Sequence, residues 1–314
     1  MKSRYIFILG PTAIGKHKIA FFLAKLLNGE IISVDSMKVY REMDIGTAKP
    51  SKKMREEIKH HLIDIVDPSS SYNAARFVKD AKMAIGEVQT AGKLPIFVGG
   101  TGLYYRVFAY GIFDGISRDE KIRRELLEEV GKKGVEYLHQ KLSEVDPVSA
   151  KKISPRDLRR VVRALEVSRK MGVPISSLKV HFEREPEEKN FLICLRCDRE
   201  ILKNRIDRRV EKMFGDGFVD EVSGLLARKN GWSEEARMGI GYKEVIGYLK
   251  GKANLEETKR VIKMDTMHLV KKQMTWFRSF KEAVWLDVEG GEGEEGFQEI
   301  AKRILDLYNR SFFS

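Results

Sequence analysis

Cysteine is almost missing from this chain: Cys194 and Cys197 are the only two in 314 residues. They form a C-x-x-C inside residues 191–197, a stretch that reads as a buried strand. Residues three apart on a strand face opposite ways and cannot close on one metal ion. No second pair follows, so the thiols read as reduced and structural, with neither a zinc site nor a disulfide framework expected. The six histidines show no ligand spacing, and the His60-His61 pair reads as structural. No apolar run approaches the roughly 18 residues of a membrane-spanning helix. Met1-Lys2-Ser3-Arg4 leads into a strand without the pattern of a secretory leader. Repeats and low-complexity tracts are absent as well. These absences exclude a membrane partner, and the cytoplasm is the expected compartment.

What the chain has in excess is positive charge. Lys and Arg number 58 against 46 Asp and Glu, a formal net charge of +12. Such a balance favours a polyanionic partner over a small neutral substrate. The length fits one large domain with an insert, or two domains.

The most informative stretch is Gly10-Pro11-Thr12-Ala13-Ile14-Gly15-Lys16-His17. It follows the apolar run Tyr5-Ile6-Phe7-Ile8-Leu9 and opens a helical segment over residues 18–27. Strand, glycine loop and helix together are the setting in which G-x-x-x-x-G-K binds a diphosphate or a nucleoside triphosphate. The glycines let successive N–H groups point inward, the helix start adds a positive dipole end, and Lys16 adds a full charge. One position departs from the pattern: His17 stands where Ser or Thr would meet Mg²⁺.

Strand and helix alternate through the first third. A second strand, Glu30-Ile31-Ile32-Ser33-Val34, ends at Asp35. Residues 36–50 read as loop, 53–60 as a short charged helix, and 62–66 as a further strand. Residues 74–91 read as an amphipathic helix with Phe77, Ala81, Ile85 and Val88 on one face. Then come Pro95-Ile96-Phe97-Val98 and the turn Gly99-Gly100-Thr101-Gly102. This alternation predicts an α/β fold, a parallel sheet covered by helices on both faces. Ligands of such sheets sit beyond the carboxyl ends of the strands, so Lys16, Asp35 and Thr101 should converge.

From Ser117 to about Lys189 only helical periodicities occur. The clearest helix is predicted over residues 154–171, with Ser154 as N-cap, Pro155 at the first helical position and Asp157 completing a capping pair. Arg156, Arg159, Arg160 and Arg163 form a stripe beside its apolar face. Residues 151–170 hold eight Lys and Arg against Asp157 and Glu166, as a phosphate-backbone reader would. The sheet pattern resumes at 191–197, followed by a helix with Arg205 and Arg209. A long helix over 259–281 carries seven Lys and Arg against Asp265, a second basic surface. A last strand is predicted at 283–287 and a last helix after it. The expected domains are 1–116 and 190–314 for a P-loop core and 117–189 for an inserted helical domain.

A phosphate loop, a crevice carboxylate and two basic surfaces suggest transfer between a diphosphate compound and a nucleic acid. A P-loop kinase using ATP would share the loop and sheet but leave the basic surfaces without a purpose. Over nearly its whole length the chain resembles the bacterial tRNA dimethylallyltransferases. The resemblance is carried by Gly10-Pro11-Thr12-Ala13 with Gly15-Lys16, by Ile32-Ser33-Val34-Asp35-Ser36, and by Met43-Asp44-Ile45-Gly46-Thr47-Ala48-Lys49-Pro50. It extends through His60-His61-Leu62-Ile63-Asp64, Val98-Gly99-Gly100-Thr101-Gly102-Leu103-Tyr104, Gly239-Ile240-Gly241-Tyr242 and Gln273-Met274-Thr275-Trp276-Phe277-Arg278.

The resemblance implies a P-loop NTPase-like core and transfer of a dimethylallyl group from dimethylallyl diphosphate to N6 of an adenosine beside the anticodon. It makes Asp35 the base. Lys16, Arg209, Arg205 and the loop residues 10–17 would hold the diphosphate, with Mg²⁺ as cofactor. Thr101 would touch the flipped nucleotide. Ser36, Met37, Lys38, Arg123, the 156–163 stripe, Gly241, Lys271, Lys272, Gln273 and Arg278 would contact the anticodon stem-loop of tRNA. The protein is expected to be a monomer. Two further departures, Lys38 and Arg159 where many relatives have Gln, would turn base-edge contacts into phosphate contacts. With His17 in place of a hydroxyl, Mg²⁺ would be held by diphosphate oxygens and water, or a cationic His17 would donate to the diphosphate. A third option is that His17 merely packs at the helix start.

Overall fold

A computed structural model describes residues 5–111, 119–178, 186, 190–288 and 293–311. They form two compact units, one drawn from Met1–Val107 with Glu188–Ser314 and the other from Phe108–Glu187. The first begins with β1 (Ile6–Leu9), α1 (Lys16–Leu27), β2 (Gly29–Val34), α2 (Lys52–Glu57) and β3 (His60–His61). It continues with α3 (Ala74–Thr90), β4 (Leu94–Gly99) and α4 (Gly102–Ala109). The second unit holds α5 (Glu120–Lys133), α6 (Val135–Val145), α7 (Pro147–Lys152), α8 (Leu158–Met171) and α9 (Ile175–Leu178), with no strand among its described residues. The chain then returns to the first unit through β5 (Phe191–Arg196), α10 (Arg199–Gly215), α11 (Phe218–Leu226), α12 (Glu234–Arg237), α13 (Tyr242–Leu249), α14 (Leu255–Phe277), β6 (Val284–Asp287) and α15 (Glu294–Arg310).

The six strands form one all-parallel sheet in the order β3-β2-β4-β1-β5-β6. Strands buried on both faces must be apolar throughout, and β1 is: Ile6, Phe7, Ile8 and Leu9 have no exposed surface. Phe7 stacks on Phe97 of the neighbouring strand at 4.2 Å. The predicted face of α3 is the buried one, with Phe77, Ala81, Ile85 and Val88 inside.

Three expectations fail for local reasons. Residues 62–66 are not a strand, because Leu62 and Asp64 lie in the left-handed region (φ 60° and 58°) and break the extended path. Only Val66 keeps a bridge, to Tyr40. Helix α8 starts at Leu158, not at Pro155, because the Asp157 side chain accepts from the Arg160 N–H and so is itself the cap. Ser154 and Pro155 form the turn before it. Helix α14 starts earlier than predicted, where Asn254 Oδ1 accepts from the Glu257 N–H at 2.8 Å, and it ends at Phe277.

Candidate active site

The sheet register sets the site. Leu9, Val34, Gly99 and Cys194 are paired across four adjacent strands. The segments that follow them therefore leave the sheet along one edge. Gly99 has no room for a side chain, since a Cβ there would lie 2.0 Å from the Val34 carbonyl oxygen. That oxygen accepts from the N–H groups of Gly100 and Thr101, each at 3.2 Å, while Gly10 N–H donates to the Gly99 carbonyl at 3.3 Å.

The phosphate loop is held in an unusual backbone path. Ala13 (φ 65°) and Gly15 (φ 94°) both take left-handed conformations, which glycine adopts freely and alanine only at a cost of roughly 1 kcal/mol. Such a path turns successive N–H groups toward one concavity, a nest for an anion. Arg205 donates to the Ile14 carbonyl at 3.3 Å, and the Phe297 ring packs over Gly15. The Gln273 amide joins the two loops, accepting from Thr12 N–H at 2.9 Å and donating to the Gly100 carbonyl at 3.0 Å. Gln273 is buried, and these bonds occupy its amide at a position expected to contact tRNA. Gly241, also expected to contact tRNA, lies buried against Phe218 with its N–H given to Glu244.

Asp35 follows β2. Its Oδ1 accepts from the N–H groups of Met37 (2.9 Å) and Lys38 (3.2 Å), and among the described residues its Oδ2 has no hydrogen bond. Thr101 Oγ1 accepts from Ser36 N–H at 3.3 Å, so the two strand-end loops are tied together. Around this carboxylate lie three cations. Lys16 is 8% exposed and donates to the Pro11 carbonyl at 3.2 Å. Lys38 is 4% exposed, and its ammonium has no hydrogen bond or ion pair among the described residues. Arg209 donates to Thr12 Oγ1 at 2.8 Å and reaches the Gly46 carbonyl at 3.5 Å.

Burial pushes Lys16 down to about 8 and Lys38 to about 7; Asp35 resists both shifts, and the neighbouring cations reinforce them. Burial lowers Arg209 as well, again opposed by Asp35. The expected convergence of Lys16, Asp35 and Thr101 is thus seen, joined by Lys38 and Arg209. Cations held largely out of water with one carboxylate between them make a site suited to an anion.

His17 lies at the start of α1 with both ring nitrogens buried and unpartnered. Burial, then Lys38, Lys16, His60 and Arg209, hold it well below the ordinary histidine value. Before an anion binds, His17 is therefore a neutral imidazole; the cationic form expected as one option belongs to the diphosphate complex. Nor do the residues fit a protein-held Mg²⁺. That ion takes oxygen ligands in near-octahedral geometry. Here the hydroxyl position carries an imidazole, and the Thr12 hydroxyl already accepts from Arg209. Among the described residues no three His, Cys, Asp or Glu gather as a metal site.

Sequence reasoning missed Glu221. Its carboxylate accepts from the N–H groups of Asp44 (2.9 Å), Ile45 (2.6 Å) and Gly46 (3.2 Å) and from the Tyr242 hydroxyl (2.7 Å). It thereby fixes the 43–50 loop, including the Gly46 carbonyl that meets Arg209. Lys49, its side chain 2% exposed, braces the loop from the other side through the Tyr40 carbonyl (2.6 Å), Asp44 (2.7 Å) and Asp64. Nothing in the sequence distinguishes Glu221 from other acids in a helix's first turn. The His60-His61 pair is structural, with His61 bonded to Glu30 at 2.7 Å and His60 to the Ile58 carbonyl at 2.7 Å.

The expected tRNA contacts divide. In the second unit, Arg123 Nε (3.0 Å) and Arg163 (2.9 Å) both donate to Glu166, which also accepts from Asp119 N–H at 2.6 Å. Arg160 pairs with Asp157 at 2.6 Å. Arg156 and Arg159 are exposed and carry no ion pair among the described residues. In the first unit, the basic surface predicted for α14 is half neutralised: Lys259 and Lys263 pair with Glu211 at 2.8 and 2.6 Å. Lys271, Lys272 and Arg278 stay exposed.

Known proteins resemble this chain. Residues 38–280 match the family model described as IPP transferase. A tRNA dimethylallyltransferase of Geobacter metallireducens is 40% identical over 98% of each chain, and one of Acetivibrio thermocellus is 44% identical over 96% of this chain and 97% of its own. Among solved structures, the full-length tRNA isopentenylpyrophosphate transferase of Bacillus halodurans is 38% identical with a TM-score of 0.70, covering 100% of both chains. A eukaryotic dimethylallyltransferase acting on tRNA is 30% identical with a TM-score of 0.75, covering 91% of this chain and 74% of its own. The phosphate loop, the crevice beside it and the match along the chain's length agree: this chain belongs to the IPP transferase family, that of the tRNA dimethylallyltransferases.

Proposed function

We propose that this chain transfers the dimethylallyl group of dimethylallyl diphosphate to N6 of the adenosine next to the anticodon of tRNA, releasing diphosphate. The observation that carries this reading is the group Lys16, Lys38 and Arg209 set around the single carboxylate of Asp35 at the sheet edge.

The exocyclic amine of adenine is a weak nucleophile, so the allylic C–O bond must be well broken in the transition state. Its electron pair leaves with the diphosphate, where Lys16, Arg209 and the N–H groups of residues 13–17 stabilise the growing charge. The N6 lone pair forms the new C–N bond, and the proton lost from N6 goes to Asp35 Oδ2. Oδ1 keeps the 36–38 loop in place meanwhile. A stacked base cannot reach this crevice, so the adenosine is flipped into it, with the Thr101 hydroxyl beside the nucleotide. The helical second unit holds the anticodon stem-loop through Arg156 and Arg159, and in the first unit Lys271, Lys272 and Arg278 are available to tRNA phosphates. The enzyme works as a monomer in the cytoplasm. No step is assigned to Mg²⁺, for which the crevice offers no suitable ligand set.

The test is incubation of the protein with labelled dimethylallyl diphosphate and unmodified tRNA. Label on adenosine is the expected result. ATP turnover without tRNA, and no label on tRNA, would sink the reading.

A further inference from the structure

Two positions stand out in the crevice because their polar groups have no partner. His17 carries buried ring nitrogens with nothing bound to them. Lys38 carries an almost fully buried ammonium without a hydrogen bond or ion pair among the described residues. They come from different elements, the start of α1 and the loop after β2, yet Lys38 is the strongest charge acting on His17. One of them fills the position that a P-loop reserves for a metal-binding hydroxyl.

We infer that the Lys38 ammonium supplies the charge that a divalent cation would otherwise bring to the diphosphate, so that diphosphate binds this crevice without a metal. The inference rests on the reading of the crevice as a prenyl diphosphate site. A prenyl diphosphate carries roughly three negative charges at neutral pH, each able to take charge-assisted hydrogen bonds. Lys16, Lys38 and Arg209 present three positive charges to them. A divalent ion placed here would face the same three cations, with Asp35 the only carboxylate among the described residues opposing all of them. Neutral His17 still has one N–H to give to a diphosphate oxygen and needs no proton to do so.

The state of Lys38 agrees. Its surroundings contribute the charges of Asp35, Lys16, Arg209 and Lys49 and the imidazoles of His17 and His60. Burial first, then the other cations, bring it down to about 7 against the pull of Asp35. An incoming anion reverses that shift, so binding near pH 8 draws a proton onto Lys38.

The test uses calorimetric titration of the full chain with inorganic diphosphate, once in EDTA and once in Mg²⁺. The native protein is expected to bind in EDTA within about threefold of its affinity in Mg²⁺. Lys38→Gln should lose roughly tenfold or more in EDTA, the size of one charged hydrogen bond. Lys38→Arg should keep most of the affinity, and Lys38→Gln combined with His17→Thr should bind only with Mg²⁺. A native protein that loses more than tenfold in EDTA overturns the inference, whatever the variants do. So does a folded Lys38→Gln protein that binds in EDTA as tightly as the native one. Absence of diphosphate binding under both conditions would instead strike the reading of the crevice itself, and the inference with it.

Discussion

Two of the places where this protein brings arginine or lysine against a carboxylate out of water are balanced in opposite ways. In the second unit, Glu166 has no exposed surface, and its carboxylate takes one backbone N–H and two guanidinium groups. Burial would raise the Glu166 value, but the Asp119 N–H, Arg163 and Arg123 outweigh it and hold it below the usual range. In the crevice the excess is on the other side: Lys16, Lys38 and Arg209 surround Asp35, and Lys38 has no bonded partner among the described residues. The first arrangement is complete without a ligand and fixes α5 against α8. The second is complete only with an anion. Charge that the fold satisfies internally is structural, while charge it leaves unsatisfied marks where substrate goes.

The sharpest test of this contrast is Asp35→Asn. The amide oxygen can still accept from Met37 and Lys38, so the loop stays, but the proton acceptor is gone. Single-turnover transfer should fall by at least about a thousandfold, within the range general base catalysis contributes. Diphosphate binding should hold or tighten, since a repelling charge is removed. Equal losses in both measurements would mean that Asp35 only braces its loop.

The converse change is Glu166→Gln. Removing one partner of a buried ion pair costs about 3–5 kcal/mol, and the lower end is expected because both arginines are partly exposed. Urea denaturation should show the loss, while diphosphate binding in the first unit should not change. Unaltered stability would mean that the Glu166 centre is not the anchor of the helical unit.

A smaller effect separates the arginines of one stripe. Replacing Arg156 and Arg159 by Ala should flatten the salt dependence of tRNA binding by roughly one log unit per lost phosphate contact. Thermal stability should stay within about 0.5 kcal/mol, as for exposed sites. Arg163→Ala should do the reverse, lowering stability more than it alters the salt slope. If all three behave alike, the division drawn from the Glu166 pairs is wrong.

The smallest effect is on pH. Lys16 and Lys38 have folded values of about 8 and 7 against ordinary values of 10.5. Above pH 7 the unfolded chain therefore holds more protons than the folded one, so ligand-free stability rises with pH. Between pH 7 and 8, below the range where cysteine and tyrosine are appreciably ionised in the unfolded chain, the melting temperature should climb by roughly 2 °C. Saturating diphosphate or Lys38→Gln should make the slope shallower. A slope identical in all three cases would remove Lys38 from the crevice's charge balance.

The sequence by itself determined the parallel α/β core, the phosphate loop, the insertion of a helical unit, and the meeting of Lys16, Asp35 and Thr101. These follow from local signals: apolar runs of strand length, helical periodicity, glycine at turns, and the rule that parallel strands deliver their loops to one edge. What it could not determine is which polar groups are spent inside the fold. Arg163 and Arg159 look alike in a stripe, and only packing shows that one serves Glu166 and the other faces water. Gln273 reads as a ligand contact until it is seen bonded to Thr12 and Gly100. Glu221 reads as one more surface acid until its carboxylate is found on three backbone N–H groups of a distant loop. The reason is physical: hydrogen-bond satisfaction depends on partners brought together across as many as 261 positions, and no local pattern encodes that distance.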